Sequence, residues 1–307
     1  MSANSTTTLP QTNGIFGKHH FLMRRLHSLS GIVPVGLFVC MHLFTNAQMI
    51  WHSIRGVNPE TGSSFFQHEV DFIHAIPALE IIEWTLWLSI AFHAILGFVY
   101  IFGAKWNNKN YKHEANTRYT LQRITGMIAI VFIFLHVATL RWRWDIFGWF
   151  TPFYANGGVT ADGAHIGMGH GKDVPMSLPY TAYALQISWI VVAFYVIGAG
   201  SAIFHWANGL WTSAITWGVT ITPAAQKRWG GVCWLVGIAL TFAMAAAIVG
   251  AMTYNFDDMT PDQRQVFERT VPKAQQFFDS KGSNVTYPST TVPAPTGSEI
   301  EVDIEVR

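Results

Sequence analysis

Five long apolar stretches, at about residues 29–50, 78–103, 124–140, 183–207 and 231–252, constrain this chain more than anything else in it. Each is long enough, or nearly so, to cross about 30 Å of hydrocarbon at about 1.5 Å per residue of helix. Half of the 307 residues are hydrophobic and only 12% are charged, too apolar a balance for a soluble domain of this length. The stretches therefore predict an all-α fold, a five-helix transmembrane bundle. A polar segment (1–20) precedes the membrane domain (21–255), and a tail (256–307) follows it. The start, MSANSTTTLPQTNG, is polar, and no short apolar core with a cleavage site stands before the first helix, so no removable leader is expected. The surroundings this composition implies are a lipid bilayer, not nucleic acid.

Basic residues mark the cytoplasmic side of a membrane protein. Lys18, Arg24 and Arg25 precede the first helix, Lys105, Lys109, Lys112, Arg118 and Arg123 lie between the second and third, and Lys227 and Arg228 between the fourth and fifth. The two opposite loops carry only Arg55, Arg141, Arg143 and Lys172, and with the helix mouths beside them hold Glu60, Glu69, Asp71, Glu80, Glu83, Asp145, Asp162 and Asp173, against Glu114 on the first side. This predicts a cytoplasmic N-terminus and an external C-terminus. Trp51, Trp142, Trp144 and Trp149 fall where an aromatic belt on the outer face is expected.

Four of the apolar helices each contain one histidine: His42, His93, His136 and His205. A histidine in a lipid-buried helix is costly and marks function by default. Counting along each helix at about 1.5 Å per residue places His42 about 14 Å and His136 about 9 Å below the outer edge. His93 lies about 24 Å below that edge, and His205 at least as deep. The four thus sort into an outer pair, His42 with His136, and an inner pair, His93 with His205. Facing side chains in a bundle core are the usual way to build a cofactor site. Two bis-imidazole sites suit two haem b groups, whose filled axial positions leave them to relay electrons. Zinc fits less well, because it wants four tetrahedral ligands, and histidines simply hydrogen-bonded in a core are the plain alternative. No CxxCH is present, and Cys40 and Cys233 read as small buried side chains.

The helices also repeat. LHSLSGIVPVGLFVCMHLF in the first and LQRITGMIAIVFIFLHVAT in the third each place a Ser-Gly or Thr-Gly step about three turns before the histidine. FHAILG in the second and FHWANG in the fourth each place a glycine four residues after it, Gly97 and Gly209, on the same face. A flat macrocycle between helices needs such close backbone approach, although small-residue packing of membrane helices uses glycine too.

RRLHSLSGIVPVGLFVCMHL, IAFHAILG, the mid-helix His136 and FHWANG resemble the di-haem cytochrome b membrane anchor of succinate dehydrogenase and fumarate reductase, in its single-polypeptide, five-helix form, over about residues 18–255. The resemblance implies a subunit that anchors a flavoprotein carrying FAD and an iron–sulfur subunit on the cytoplasmic face. It implies electron transfer from succinate through iron–sulfur clusters and two haems to a membrane quinone, menaquinone being favoured. It makes His93 and His205 ligands of the proximal haem, and His42 and His136 ligands of the distal one. On its own this chain is not expected to oxidise succinate. Two other readings of the residues remain: a di-haem cytochrome b of a hydrogenase or formate dehydrogenase, and a transporter whose buried histidines relay protons.

Candidates for secondary roles lie at both ends. Arg24, Arg25, His27, Ser28 and Arg123 stand near the cytoplasmic helix ends, within reach of haem propionates, with His27 just inside the apolar boundary. Glu80 and Glu83 lie three residues apart at the outer mouth of the second helix, and with His74 they are candidates for a quinone site, Glu83 foremost because it dips furthest into the bilayer. The apolar stretches of helices three to five hold no acid that could carry protons across. The loop at about 141–181 is Gly-rich, with His165 and His170 read as solvated; residues 257–281 read as an amphipathic helix and EIEVDIEVR as a strand.

Overall fold

A computed structural model describes residues 19–103, 113–140, 174–271 and 274–282. All regular elements among these residues are helical, and five helical segments are long and apolar enough to cross a membrane. In hydrocarbon a helix satisfies every interior backbone group within itself, which is why apolar runs of this length take that form.

The first span runs from His20 to Arg55. It consists of α1 (His20–Ile32), α2 (Pro34–Ala47), a 3-10 turn (Gln48–Ile50) and α3 (Trp51–Arg55). Pro34 interrupts it, since proline has no N–H to donate. The axis continues nevertheless, because Val33 N–H reaches Leu29 O at 2.9 Å and Leu37 N–H reaches Val33 O at 3.2 Å. A short α4 (Phe65–His74) follows, capped by the Ser64 hydroxyl on Gln67 N–H. The second span is α5 (Leu79–Phe102) and the third α6 (Glu114–Leu140). Then come α7 (Ser177–Gln186), α8 (Trp189–Thr216) and α9 (Pro223–Met252). The chain between α8 and α9 turns on Gly218, whose φ of 73° suits glycine, with Val219 N–H bonded back to Ala214 O at 2.8 Å.

Two boundaries differ from the apolar runs. The third helix begins ten residues before its apolar part, at Glu114, because polarity marks the hydrocarbon edge and not the helix end. The run at 183–207 is split, because Ser188 adopts extended backbone and caps α8 through its hydroxyl. Residues 174–185, placed by the sequence reading mostly in a loop, are nearly all buried.

α1 and α2 pack against α5, α6 packs against α8, and α1 also meets α8; α9 lies alongside α2 and α8. Small residues set these approaches, as is usual between membrane helices. A Cβ on Gly36 would overlap Trp206, one on Gly198 would overlap Phe132, and one on Gly250 would overlap the backbone of Met49 and Ile50. Large apolar side chains such as Trp234, Leu235 and Phe242 of α9 face outward.

The densest core sits not between the spans but at one end of them. There α7, a 3-10 turn (Phe256–Asp258), α10 (Pro261–Thr270) and α11 (Ala274–Lys281) enclose Met176, Tyr180, Phe256, Phe267 and Phe278. Residues 257–281, read from sequence as one amphipathic helix, form these two short ones. Lys18, Lys105, Lys109, Lys112, Arg141, Arg143, Lys172, the tryptophans at 142, 144 and 149, the loop histidines 165 and 170 and the EIEVDIEVR segment lie outside the described residues.

Candidate functional site

The four span histidines form two tiers. At the end where α1 begins, the rings of His93 (α5) and His205 (α8) have centroids 6.0 Å apart and planes at 90°. Towards the capped end, the rings of His42 (α2) and His136 (α6) are 5.8 Å apart with planes at 79°.

In the first tier both rings are fixed in the same way. His93 Nδ1 lies 2.8 Å from the carbonyl oxygen of His27, and His205 Nδ1 lies 2.9 Å from that of Gln122. A carbonyl accepts only, so each Nδ1 carries the proton and each Nε2 keeps a free lone pair. Gly31 and Gly126 provide the room: a Cβ on Gly31 would overlap the His93 ring, and one on Gly126 would stand 2.8 Å from His205 Cε1. These are the glycines of the Ser-Gly and Thr-Gly steps, so the sequence repeat is a repeat of contacts. Gly97 and Gly209 complete it, their Cβ positions facing His27 and Gln122.

The second tier is held by side chains. His42 stacks on Phe38 at 5.2 Å and His136 on Phe132 at 5.4 Å, each phenylalanine one turn earlier in its own helix. His136 Nδ1 meets the Tyr195 hydroxyl at 3.2 Å, and Asn46 Nδ2 approaches His42 Nε2 at 3.4 Å. The tiers are separated by the ten or eleven residues from Gly126 to His136 and from Gly31 to His42, about 15 Å along a helix.

A cavity of about 350 Å³ opens at the first tier, lined by both of its histidines, all four glycines named above and Trp206. That size lies within the ordinary range for cofactor sites. Its lining is mostly apolar, and Arg24, His27, Ser28, Tyr100 and Arg123 are among its polar members. His27 Nδ1 and Tyr100 Oη among them, and Trp206 Nε1 beside Gly36, are buried with no hydrogen-bond partner among the described residues. Buried polar atoms are nearly always paired, so these are the groups that could receive a polar ligand atom. The Gln122 side chain, by contrast, is already paired: Arg118 donates to Asn208, Asn208 to Gln122, and Gln122 to His205 O.

The secondary candidates are placed unequally. His27 stacks on His93 at 4.0 Å with planes 12° apart. Arg24 lies over the Tyr100 ring at 5.7 Å. Arg123 is buried and donates to Ile101 O at 3.2 Å. Ser28 lines the cavity and its hydroxyl accepts from Trp217 Nε1 at 2.9 Å. Arg25 is not among the residues lining the cavity and packs on Phe21 and Trp217. Glu80 and His74 are exposed and Glu83 is half-buried. Glu83 stands ten residues before His93 in α5, about 15 Å along the axis, and hence level with the second tier.

Sequence reasoning missed Gln122, Tyr100, Tyr195 and Asn46. Gln122 had a signal: counted from the Gly31 and Gly126 steps, it occupies the place of His27 in the repeat. Tyr195 had none, because only the packing of α6 on α8 brings it to His136.

No family model and no solved structure matches the chain. A curated protein does: the chain is similar to the succinate dehydrogenase cytochrome b558 subunit of Bacillus subtilis (strain 168), 32% identical over 232 residues, which are 76% of this chain and 97% of that protein. With five spans, this is a multi-pass integral protein of the cytoplasmic membrane. Nearly the whole length of that relative is matched at this identity, and the chain therefore belongs to the succinate dehydrogenase cytochrome b subunit family.

Proposed function

We propose that the chain is the membrane-anchor cytochrome b subunit of a succinate:quinone oxidoreductase, holding one haem b in each histidine tier and passing electrons from an iron–sulfur subunit to a membrane quinone. The observation that carries this is the spacing of the rings. An imidazole nitrogen binds a metal at about 2.0 Å, so two rings gripping one ion from opposite sides have centroids roughly 6 Å apart. The two tiers have 5.8 and 6.0 Å.

The residues fit the group in other ways. In the first tier the carbonyls of His27 and Gln122 hold each Nδ1 proton and leave Nε2 for the metal, the usual arrangement behind a ligating histidine. The mostly apolar cavity matches a flat apolar ring bearing carboxylates, which its polar members His27, Tyr100, Arg24 and Arg123 would receive. His93 with His205, and His42 with His136, would each hold a haem b, and that group would supply one-electron transfer rather than substrate chemistry.

Orientation follows from charge. Arg24, Arg25, Arg118, Arg123, Lys227 and Arg228 lie at the end where α1 begins, which we take as the cytoplasmic face and the docking side of the flavoprotein and iron–sulfur subunits. The first tier is then proximal and the second distal. Glu83, level with the distal tier, serves the quinone, with Glu80 and His74 nearer the surface. Menaquinone is the favoured quinone. The apolar stretches of the third, fourth and fifth spans hold no carboxylate that could carry protons across, so moving electrons from one face to the other would make turnover depend on the membrane potential.

The test is a reduced-minus-oxidised spectrum of the purified complex with haem quantitation and identification of its subunits. Two b haems per chain, with a flavoprotein and an iron–sulfur protein, are expected. A colourless preparation would overturn the reading.

A further inference from the structure

His205 of α8 and Gln122 of α6 hold each other twice. The ring Nδ1 of His205 donates to the Gln122 carbonyl at 2.9 Å, and the side-chain Nε2 of Gln122 donates back to the His205 carbonyl, also at 2.9 Å. Gly209, one turn beyond His205, leaves room for the second bond, since a Cβ there would stand 3.4 Å from Gln122 Nε2. Behind Gln122 the bonds continue. Asn208 Nδ2 donates to Gln122 Oε1 at 2.8 Å, and Arg118 Nε donates to Asn208 Oδ1 at 2.9 Å. The Arg118 guanidinium lies over the Trp211 ring at 3.9 Å, and the Trp211 indole donates to Gln226 O of α9 at 3.0 Å.

The two ends of this chain fix its direction. A guanidinium only donates and a carbonyl only accepts. Arg118 therefore takes Oδ1 of Asn208 and leaves Nδ2 for Gln122. Gln122 must then present Oε1 to Asn208, which leaves Nε2 for the His205 carbonyl. Turning either amide over would set donor against donor and acceptor against acceptor. Asn208 is buried, where an unpaired donor or acceptor is costly. Hydrogen bonds in series also polarise and strengthen one another.

The internal repeat shows that this arrangement serves one histidine alone. Counted from Gly31 and Gly126, Arg118 stands where α1 has Met23, and Gln122 where it has His27. Counted from His93 and His205, Asn208 stands where α5 has Leu96. Met23 and Leu96 can form no such chain, and His93 is backed instead by the stacked His27 ring.

We propose that Arg118, Asn208 and Gln122 are positioning residues for His205, a one-way chain of hydrogen bonds that holds the Gln122 carbonyl against His205 Nδ1. The proposal rests on the haem reading above and gives these three residues a role that reading leaves open. An acceptor held on Nδ1 fixes the ring and raises the basicity of the ligating nitrogen, which favours the oxidised metal. Loosening the chain should therefore raise the proximal potential. Losing the Arg118 charge would by itself lower it, so variants that keep the charge separate positioning from the field of the cation.

The experiment uses the intact complex with two such variants. Gln122→Met keeps the backbone carbonyl and the length of the side chain but removes the amide. Asn208→Leu gives α8 the residue of its repeat partner. Redox titration and electron paramagnetic resonance follow each haem separately, and His205→Ala identifies the proximal one by its loss. In both variants two haems are retained, the proximal potential shifts upward, the proximal low-spin signal moves, and the distal haem is unchanged. An unchanged proximal potential and signal in either variant, a downward shift, or equal shifts in both haems would overturn the proposal. Should Asn208→Leu fail to assemble, Gln122→Met decides alone. Failure of the underlying reading looks different: the unaltered complex would then lack two low-spin haems.

Discussion

His93 Nδ1 lies 2.8 Å from the carbonyl oxygen of His27, a residue 66 positions earlier whose own ring stacks on the ring it orients. The hydrogen bond is to backbone, so it survives substitution of the His27 side chain; the stacked ring and its unpaired Nδ1 do not. His27→Ala is expected to keep the proximal haem and shift its reduction potential. An unaltered potential by redox titration would remove His27 from the polar lining of the cavity.

The tiers are independent in their ligands. His93→Ala or His205→Ala should halve the haem content and spare the distal haem, and His42→Ala or His136→Ala should do the reverse. Haem quantitation with a low-temperature spectrum reads this directly. Full haem content in any of the four would contradict the assignment.

Gly126→Ala places a Cβ 2.8 Å from His205 Cε1 and 2.9 Å from its Nδ1, closer than packed atoms tolerate. The ring must move off the Gln122 carbonyl or the helices must part, at a cost of about 1–3 kcal/mol for overpacking. Reduced proximal haem occupancy is the expected outcome. Gly231→Ala, where a Cβ would meet nothing within 4 Å, is the control and should behave as the unaltered protein.

Glu83 stands half-buried, level with the distal tier. If it exchanges protons with the quinone, Glu83→Gln should slow quinone reduction about 10²-fold or more, as loss of a general acid–base does. Haem content and succinate oxidation by a soluble dye should be unaffected. Normal quinone turnover in that variant would clear Glu83 of the role.

Tyr254 lies just past α9, with its ring 5.1 Å from Phe256 and 5.4 Å from His52. Burial raises its hydroxyl pKa above the ordinary value, and nearby Asp258 adds to the shift. A phenol of raised folded pKa contributes stability that is complete below its unfolded value of about 10 and falls as pH rises beyond it. The cap should therefore loosen above about pH 10, by up to roughly 1.4 kcal/mol per pH unit. Limited proteolysis of the C-terminal segment across that range measures the effect, and Tyr254→Phe should flatten it.

The distal tier shows where reading the sequence stops. Phe38 and Phe132 precede His42 and His136 by one helical turn, so their stacking is a local property of each helix, readable in advance from spacing alone. The Tyr195 hydroxyl is not, because α6 and α8 must first pack with Gly198 against Phe132 before it can reach His136.

What the sequence determined by itself was whatever depends on position along one helix: five spans from five apolar runs, and the order of histidine, glycine and phenylalanine along each. Hydrophobicity and the fixed rise of a helix are local, so they need no tertiary information. Tertiary structure alone decided which backbone carbonyl holds each Nδ1, that the Ser-Gly and Thr-Gly glycines seat the rings of another helix, and that residues 256–278 fold back as an aromatic cap. Those outcomes depend on the angle and rotation at which helices meet, and side chains far apart in sequence set that angle together.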